Sequence, residues 1–245
     1  PSKKDPIPKG LDWDAWIGPA PYTDYISKYY HPGQWRKRLD YGTGTFGDMG
    51  CHIYDPTFKA LGLTYPISLR SEGPKPNQDN WGFDAVIHYT FPGNQYSKNK
   101  TLPVTWYDGT AQPPARIINL LEGQKRPSQG SIVVGTKGVM LIPHVGMPKL
   151  FPEKKFKDHK IEIVEQMNHW HSFIDAVRGV APLPSANFDY SGPLTETVLL
   201  GGIATRFPKQ ELIWDSTNLS FKDNSKATAL VKKKYRKGWE VKGLG

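Results

Sequence analysis

At 245 residues, with 38% hydrophobic and 22% charged residues, the chain has the make-up of a soluble globular protein able to bury a substantial core. No apolar run approaches the roughly 20 residues of a membrane helix, and the polar opening PSKKDPIPKG is not expected to act as a signal peptide. A net charge of +9 raises nucleic acid as a partner, but the basic groups (Lys154, Lys155 and Lys157; Lys232 to Lys234, Arg236 and Lys237) match no recognition helix, zinc finger or RNA-binding motif. They read as surface solvation, and neither nucleic acid nor a membrane span is expected. The single Cys51 excludes an intrachain disulfide and leaves the compartment open. With no initiator Met, the opening reads like the interior of a longer protein.

Residues 1–45 are rich in Pro, Gly, Trp and Tyr without sustained periodicity. They predict an extended arm packed over a core, with Trp13 and Trp16 in a short turn. A helix is predicted from Phe46 to Leu61, with Thr45 as cap, an apolar stripe of Phe46, Met49, Ile53 and Leu61, and a bend at Pro56. ISLRSE, FDAVIHYTF and LPVTWYD predict strands. SIVVGTKGVMLI predicts a hairpin with Thr136, Lys137 and Gly138 at its tip. Residues 143–164 read as a polar, Lys-rich connection. EQMNHWHSFIDAVRG predicts an amphipathic helix with Met167, Trp170, Phe173, Ile174 and Val177 on one face, ended by Gly179. GPLTETVLLGGIATRF predicts a second helix, in which Glu196 reads as a charge near the helix start. ELIW predicts a late strand and NSKATALVKKKY a short final helix. Strands grouped in the middle with helices around them predict an α+β protein. No boundary stands out, so residues 1–245 are expected to form one domain.

GTGTFG, at Gly42 to Gly47, has the spacing of a dinucleotide-binding turn. That turn needs a buried strand before it and an acidic residue about 20 positions later. QWRKRLDY precedes it and LGLTYP occupies the later position, so no cofactor-binding residue is assigned here. Asp48 and His52, four apart, would stack on one helix face with Asp55 further along it. A carboxylate beside an imidazole can orient the ring and make it a proton acceptor. A capping Asp and a His satisfied by the core are the alternative.

Six ordered stretches carry a resemblance: LDWDAWIGPAP, YYHPGQWRKRLDYGTGTFGDMGCHIYD, WYDG, NHWHSFIDAVRG, SGPLTETVLLGGIA and YRKGW. Together they resemble the C-terminal part of Gfo/Idh/MocA oxidoreductases, from about Leu11 to Trp239. The resemblance implies a large, mostly antiparallel open sheet with helices packed on one face. It also implies a separate N-terminal Rossmann domain that binds NAD or NADP and an oligomer, dimer or tetramer, formed through the open sheet face. The family's Glu-Lys-Pro segment, with its catalytic lysine, is not in this chain, which alone is expected to be inactive. The family's D-x-x-x-H motif falls on Asp48 and His52. His52 is then the expected general base and Asp48 a group that bonds the substrate or holds the imidazole.

Tyr30, His31, Trp35 and Arg36, then Trp106 and Tyr107, are candidates to line a carbohydrate site, with packing the alternative for each. Asp55 either joins the site or caps the bent helix. His169 and His171 point to nearly opposite sides of a helix and cannot share a metal, so no metal site is assigned, although His171 remains a candidate beside His52. The expected function is the substrate-binding and oligomerisation domain of an NAD(P)-dependent oxidoreductase acting on a sugar, polyol or related carbohydrate. An NAD-dependent glycoside-cleaving enzyme, working by oxidation and elimination, is the alternative enzyme, and a non-catalytic binding or assembly module the alternative outside catalysis. By family analogy the parent is periplasmic or secreted, with a cytoplasmic location also open.

Overall fold

Alternation of buried and exposed positions, clearest in the second, seventh and eighth strands, builds the larger sheet. The computed structural model, which describes residues 3–164 and 167–243, places five strands in it: β1 (Ser68–Glu72), β2 (Val86–Pro92), β3 (Thr101–Tyr107), β7 (Glu211–Asp215) and β8 (Ser220–Lys222). Their order is β3-β2-β1-β7-β8, and every pairing is antiparallel. Leu69 stands opposite Tyr89 on one side and Leu212 on the other, while Trp214 faces Phe221. These residues, with Ile87 and Phe91, form the buried face. The opposite face is polar. Arg70 pairs with Glu72 at 3.0 Å, and His88 Nδ1 lies 3.2 Å from Thr105 Oγ1. Pro103 sits on the edge strand β3, where a missing N–H is tolerated.

The chain forms two compact units. The first comprises residues 1–51, 65–112 and 197–245, the second residues 52–64 and 113–196. In the first, helix α2 (Gly44–Ile53) and the later part of α7 (Phe188–Ala204) cover the buried face of the sheet. Phe46 of α2 stacks on Trp106 with ring centroids 4.4 Å apart and meets Tyr89 edge-on at 6.2 Å. Tyr89 Oη donates to the Thr197 carbonyl of α7 at 3.0 Å. The arm winds through α1 (Trp13–Ile17), capped by Asp12, and a 3-10 turn at Gln34–Lys37. Trp13 and Trp16 stack at 4.8 Å amid Tyr25, Tyr29, Tyr30 and Tyr41. Arg236 of the YRKGW stretch holds this arm through Asp14 Oδ1 at 2.5 Å and the Gly18 carbonyl at 2.9 Å. The short helix α8 (Ser225–Thr228) also lies in this unit.

The second unit is built on strands β4 (Gly130–Val134), β5 (Val139–Pro143) and β6 (Lys149–Phe151), again antiparallel. Leu121, Val139, Leu141 and Phe151 form its core. Helices α3 (Asp55–Ala60), α4 (Ala115–Ile118), α5 (Glu153–Phe156) and α6 (His169–Val177) belong to the same unit.

Several local expectations change. The predicted 46–61 helix is two helices broken at Tyr54, with Pro56 in the first turn of α3, where its missing N–H costs nothing. Thr45 lies inside α2 rather than capping it. The connection at 143–164 contains β6 and α5, and β8 follows the predicted late strand. Glu196 falls in the middle of α7, not near its start. Asn168 caps α6 by accepting from the N–H groups of Trp170 and His171. The apolar face expected on α6 is exposed, Trp170 and Val177 each by 70%.

Two adjacent glycines of α7 separate close approach from mere permissiveness. A Cβ on Gly201 would strike the Tyr89 hydroxyl and the Phe46 ring, whereas one on Gly202 would meet Trp81 at an ordinary 3.5 Å. Gly201→Ala is expected to cost about 1–3 kcal/mol by overpacking. Gly202→Ala is expected to be neutral or to stabilise by up to about 1 kcal/mol through helix propensity. Urea unfolding midpoints at unchanged m measure both.

Candidate functional site

Helix α2 carries Asp48 and His52 one turn apart. In the first unit, Asp48 is joined to Arg36, with Nε to Oδ1 at 3.5 Å and both side chains about half exposed. A pair so exposed contributes at most about 1 kcal/mol, so its consequence is orientation more than stability. Arg36 also lies over the Trp35 ring at 4.8 Å from the centroid. The structure therefore brings Trp35, Arg36 and Asp48 together. Tyr30 is buried in the aromatic cluster of the arm, its hydroxyl 3.0 Å from Thr23 Oγ1, and His31 beside it is exposed.

Trp106 and Tyr107 are successive strand residues and point to opposite faces of the sheet. Trp106 stacks on Phe46 and donates its indole N–H to Asp108 Oδ2 at 3.1 Å. Asp108 is buried and also accepts the Ala85 N–H at 2.8 Å. Burial pushes its carboxyl above the usual range, against the pull of these two donors. Tyr107 stands opposite Val86 on the open face.

In the second unit, His52 is exposed at the last turn of α2. The next residue, Ile53, gives its carbonyl to Ser131 Oγ of β4 at 3.0 Å, a side-chain cap for an orphan helix carbonyl. One step beyond the last pair of the β4–β5 ladder, Gly130 with Pro143, stand Gln129 and His144. The His144 N–H donates to the Gln129 carbonyl at 3.1 Å, and His144 Nδ1 lies 2.8 Å from Gln129 Oε1. The His144 ring then faces His52, with centroids 6.0 Å apart and planes tilted by 35°. Neither His144 nor Gln129 was among the sequence candidates. The hairpin was legible, but a tip centred on Lys137 implies a register one residue away from the observed pairing of Val134 with Val139.

Asp55 opens α3, where its carboxylate accepts the Tyr190 hydroxyl at 2.6 Å. Burial, then the bonded carboxylate, hold the Tyr190 hydroxyl well above the ordinary phenol range. Tyr190 was not singled out in the sequence. His171 lies exposed in the first turn of α6.

The glycine spacing meets a physical test. A Cβ on Gly42 would fall on the Arg36 main chain, one on Gly47 on the Thr43 side chain, and one on Gly44, at φ +74°, 2.7 Å from Trp81. A 3-10 turn precedes the first glycine. The bare faces of these glycines are filled by the chain itself, so the loop does not fit a dinucleotide phosphate.

The raised tyrosines give a pH dependence with a definite sign. Burial also pushes Tyr41 and Tyr54 above the phenol range. An unfolded tyrosine ionises near pH 10 while these native ones keep their protons. Stability is therefore full below that pH and is expected to fall as pH rises further. Ultraviolet absorbance should show late-ionising tyrosines released only on unfolding. Tyr190→Phe should remove one of them and cost about 1 kcal/mol, the value of one hydrogen bond.

Among the described residues no helix is long and apolar enough to cross a membrane. No curated protein matches the chain. The family described as "Oxidoreductase family, C-terminal alpha/beta domain" matches residues 2–241. The antiparallel sheet with its covering helices agrees with that match, and the chain belongs to the Gfo/Idh/MocA oxidoreductases as their C-terminal domain.

Proposed function

We propose that the enzyme containing this domain oxidises a hydroxyl of a sugar, polyol or related carbohydrate, with NAD or NADP as hydride acceptor. The observation that carries this reading is the exposed imidazole of His52, one helical turn after Asp48, where the family's D-x-x-x-H pattern falls. His52 takes the hydroxyl proton as the carbon bearing it is oxidised. Asp48, oriented by Arg36, accepts a hydrogen bond from a substrate hydroxyl. Hydride acceptance is the chemistry a nicotinamide supplies in such enzymes. The glycine turn of this chain does not fit a dinucleotide, so a dinucleotide-binding domain holds that group and this domain alone turns nothing over. Copies associate through the open face of the five-stranded sheet, where Arg70, Glu72, His88 and Glu211 offer both signs of charge.

His52→Ala in the full-length enzyme should lower kcat by about a hundredfold or more, the usual contribution of a positioned general base. Nicotinamide absorbance against a panel of sugars and polyols reads the effect, and an unchanged kcat removes the assignment. Release of free sugar from glycosides without accumulation of reduced nicotinamide would replace simple oxidation with oxidation and elimination.

A further inference from the structure

Arg36 differs from the other arginines of the first unit. Arg38, Arg70, Arg206 and Arg236 each spend their guanidinium on hydrogen bonds to side chains or carbonyls. The Arg36 guanidinium is held in place but, among the described residues, donates no hydrogen bond. It lies over the Trp35 ring at 4.8 Å, and the Asp48 carboxylate sits 3.5 Å from Nε, beyond the usual N–H···O range. Its main chain is seated against Gly42, where a Cβ would collide with it. Beside Nη1 there is room. A Cβ on Gly33 would meet that nitrogen at 3.5 Å and, apart from the adjoining residues, nothing else within 4 Å. A planar cation that is already fixed, with donors still to spend, binds an oxyanion at little ordering cost.

We propose that Arg36 is a specificity-determining residue that receives a carboxylate of the substrate in the space beside Gly33, so that the domain takes sugar acids in preference to neutral sugars. The proposal rests on the reading of Asp48 as acceptor of a substrate hydroxyl and adds the charge that the substrate carries. Arg36 then serves two carboxylates, Asp48 at Nε and the ligand at Nη1, which the fork of a guanidinium permits and a point charge does not. Arg36 supplies one positive charge, and Asp48 beside it adds to the cost of every further negative one. That balance favours a singly charged carboxylate over a phosphate ester carrying nearly two charges.

The test titrates the 245-residue chain with glucuronate, glucose, glucose 6-phosphate and acetate, and follows the backbone amide signals of residues 33 and 48 by nuclear magnetic resonance. Glucuronate should shift them at a concentration about tenfold or more below that needed for glucose, the value of one hydrogen bond to a charged group. Arg36→Gln should abolish this preference, and so should Gly33→Leu, which keeps the charge and fills the space beside Nη1. Arg116→Gln, which removes an equal charge from α4 in the other unit, should leave it intact. A pair as exposed as Arg36 and Asp48 contributes too little for Arg36→Gln to unfold the chain. Acetate as effective as glucuronate would mean an adventitious ion only and would overturn the proposal. Equal responses to glucuronate and glucose, a stronger response to glucose 6-phosphate, no response to any probe, or a preference that survives Arg36→Gln or Gly33→Leu would do the same. The probes measure binding and involve no oxidation, so turnover of His52→Ala in the full-length enzyme judges the proposed function separately, and either reading can fail while the other stands.

Discussion

The first unit depends on how closely α7 lies against the sheet. Gly201 has no side chain, so the Tyr89 hydroxyl and the Phe46 ring occupy the space a methyl would need. Tyr89 then reaches the Thr197 carbonyl, converting a buried hydroxyl into a satisfied one. Phe46, seated between Tyr89 and Trp106, fixes the start of α2. From that anchor the helical repeat alone sets the direction of Asp48, and Arg36 meets its carboxylate. A small residue in one helix thus governs the aim of a carboxylate in another.

The second unit achieves its positioning by register. A four-residue connection, with the Gly135 N–H bonded to the Gly138 carbonyl, pairs Val134 with Val139. Counting outward from that pair, Gln129 must oppose His144. A slip of one residue would send the imidazole to the other face of the ribbon and leave Gln129 without it. The aim of His144 is therefore set by the turn at the far end of the hairpin, and the Ser131 bond to the end of α2 brings the neighbouring imidazole into range.

What could be read beforehand follows from the range of each interaction. Alternation in VIHYTF and the β-branched hairpin are local signals, and the corresponding strands formed where they were expected. Spacing on one helix was equally legible, because Asp48 and His52 need only continuous backbone between them. The partners that orient candidate groups were not legible. Asp55 with Tyr190 and His52 with His144 join residues separated by 135 and, from their numbers, 92 positions, and no local pattern encodes such a pairing. The α6 segment shows the limit from another side. Its apolar spacing announced a helix, and a helix formed, but periodicity says which side chains share a face and not what covers them. That face carries Trp170, Phe173, Ile174 and Val177 exposed.

The glycine turn illustrates why spacing is weaker than context. In a dinucleotide-binding loop the glycines matter because their missing side chains leave room for phosphate at a helix start. Here the same spacing meets the same geometric need, close approach, with a different occupant: the Arg36 main chain, the Trp81 side chain and Thr43. Trp81 fastens the arrangement by donating its indole N–H to the Gly42 carbonyl at 2.7 Å. The constraint on each residue is identical, namely the absence of a Cβ, so the motif alone cannot distinguish a ligand from the chain's own atoms. What separates them is the preceding segment, where a charged 3-10 turn stands in place of a buried strand. The same glycines that in another setting would admit a cofactor here draw the Arg36 turn and α2 together, and so help set the pairing of Arg36 with Asp48.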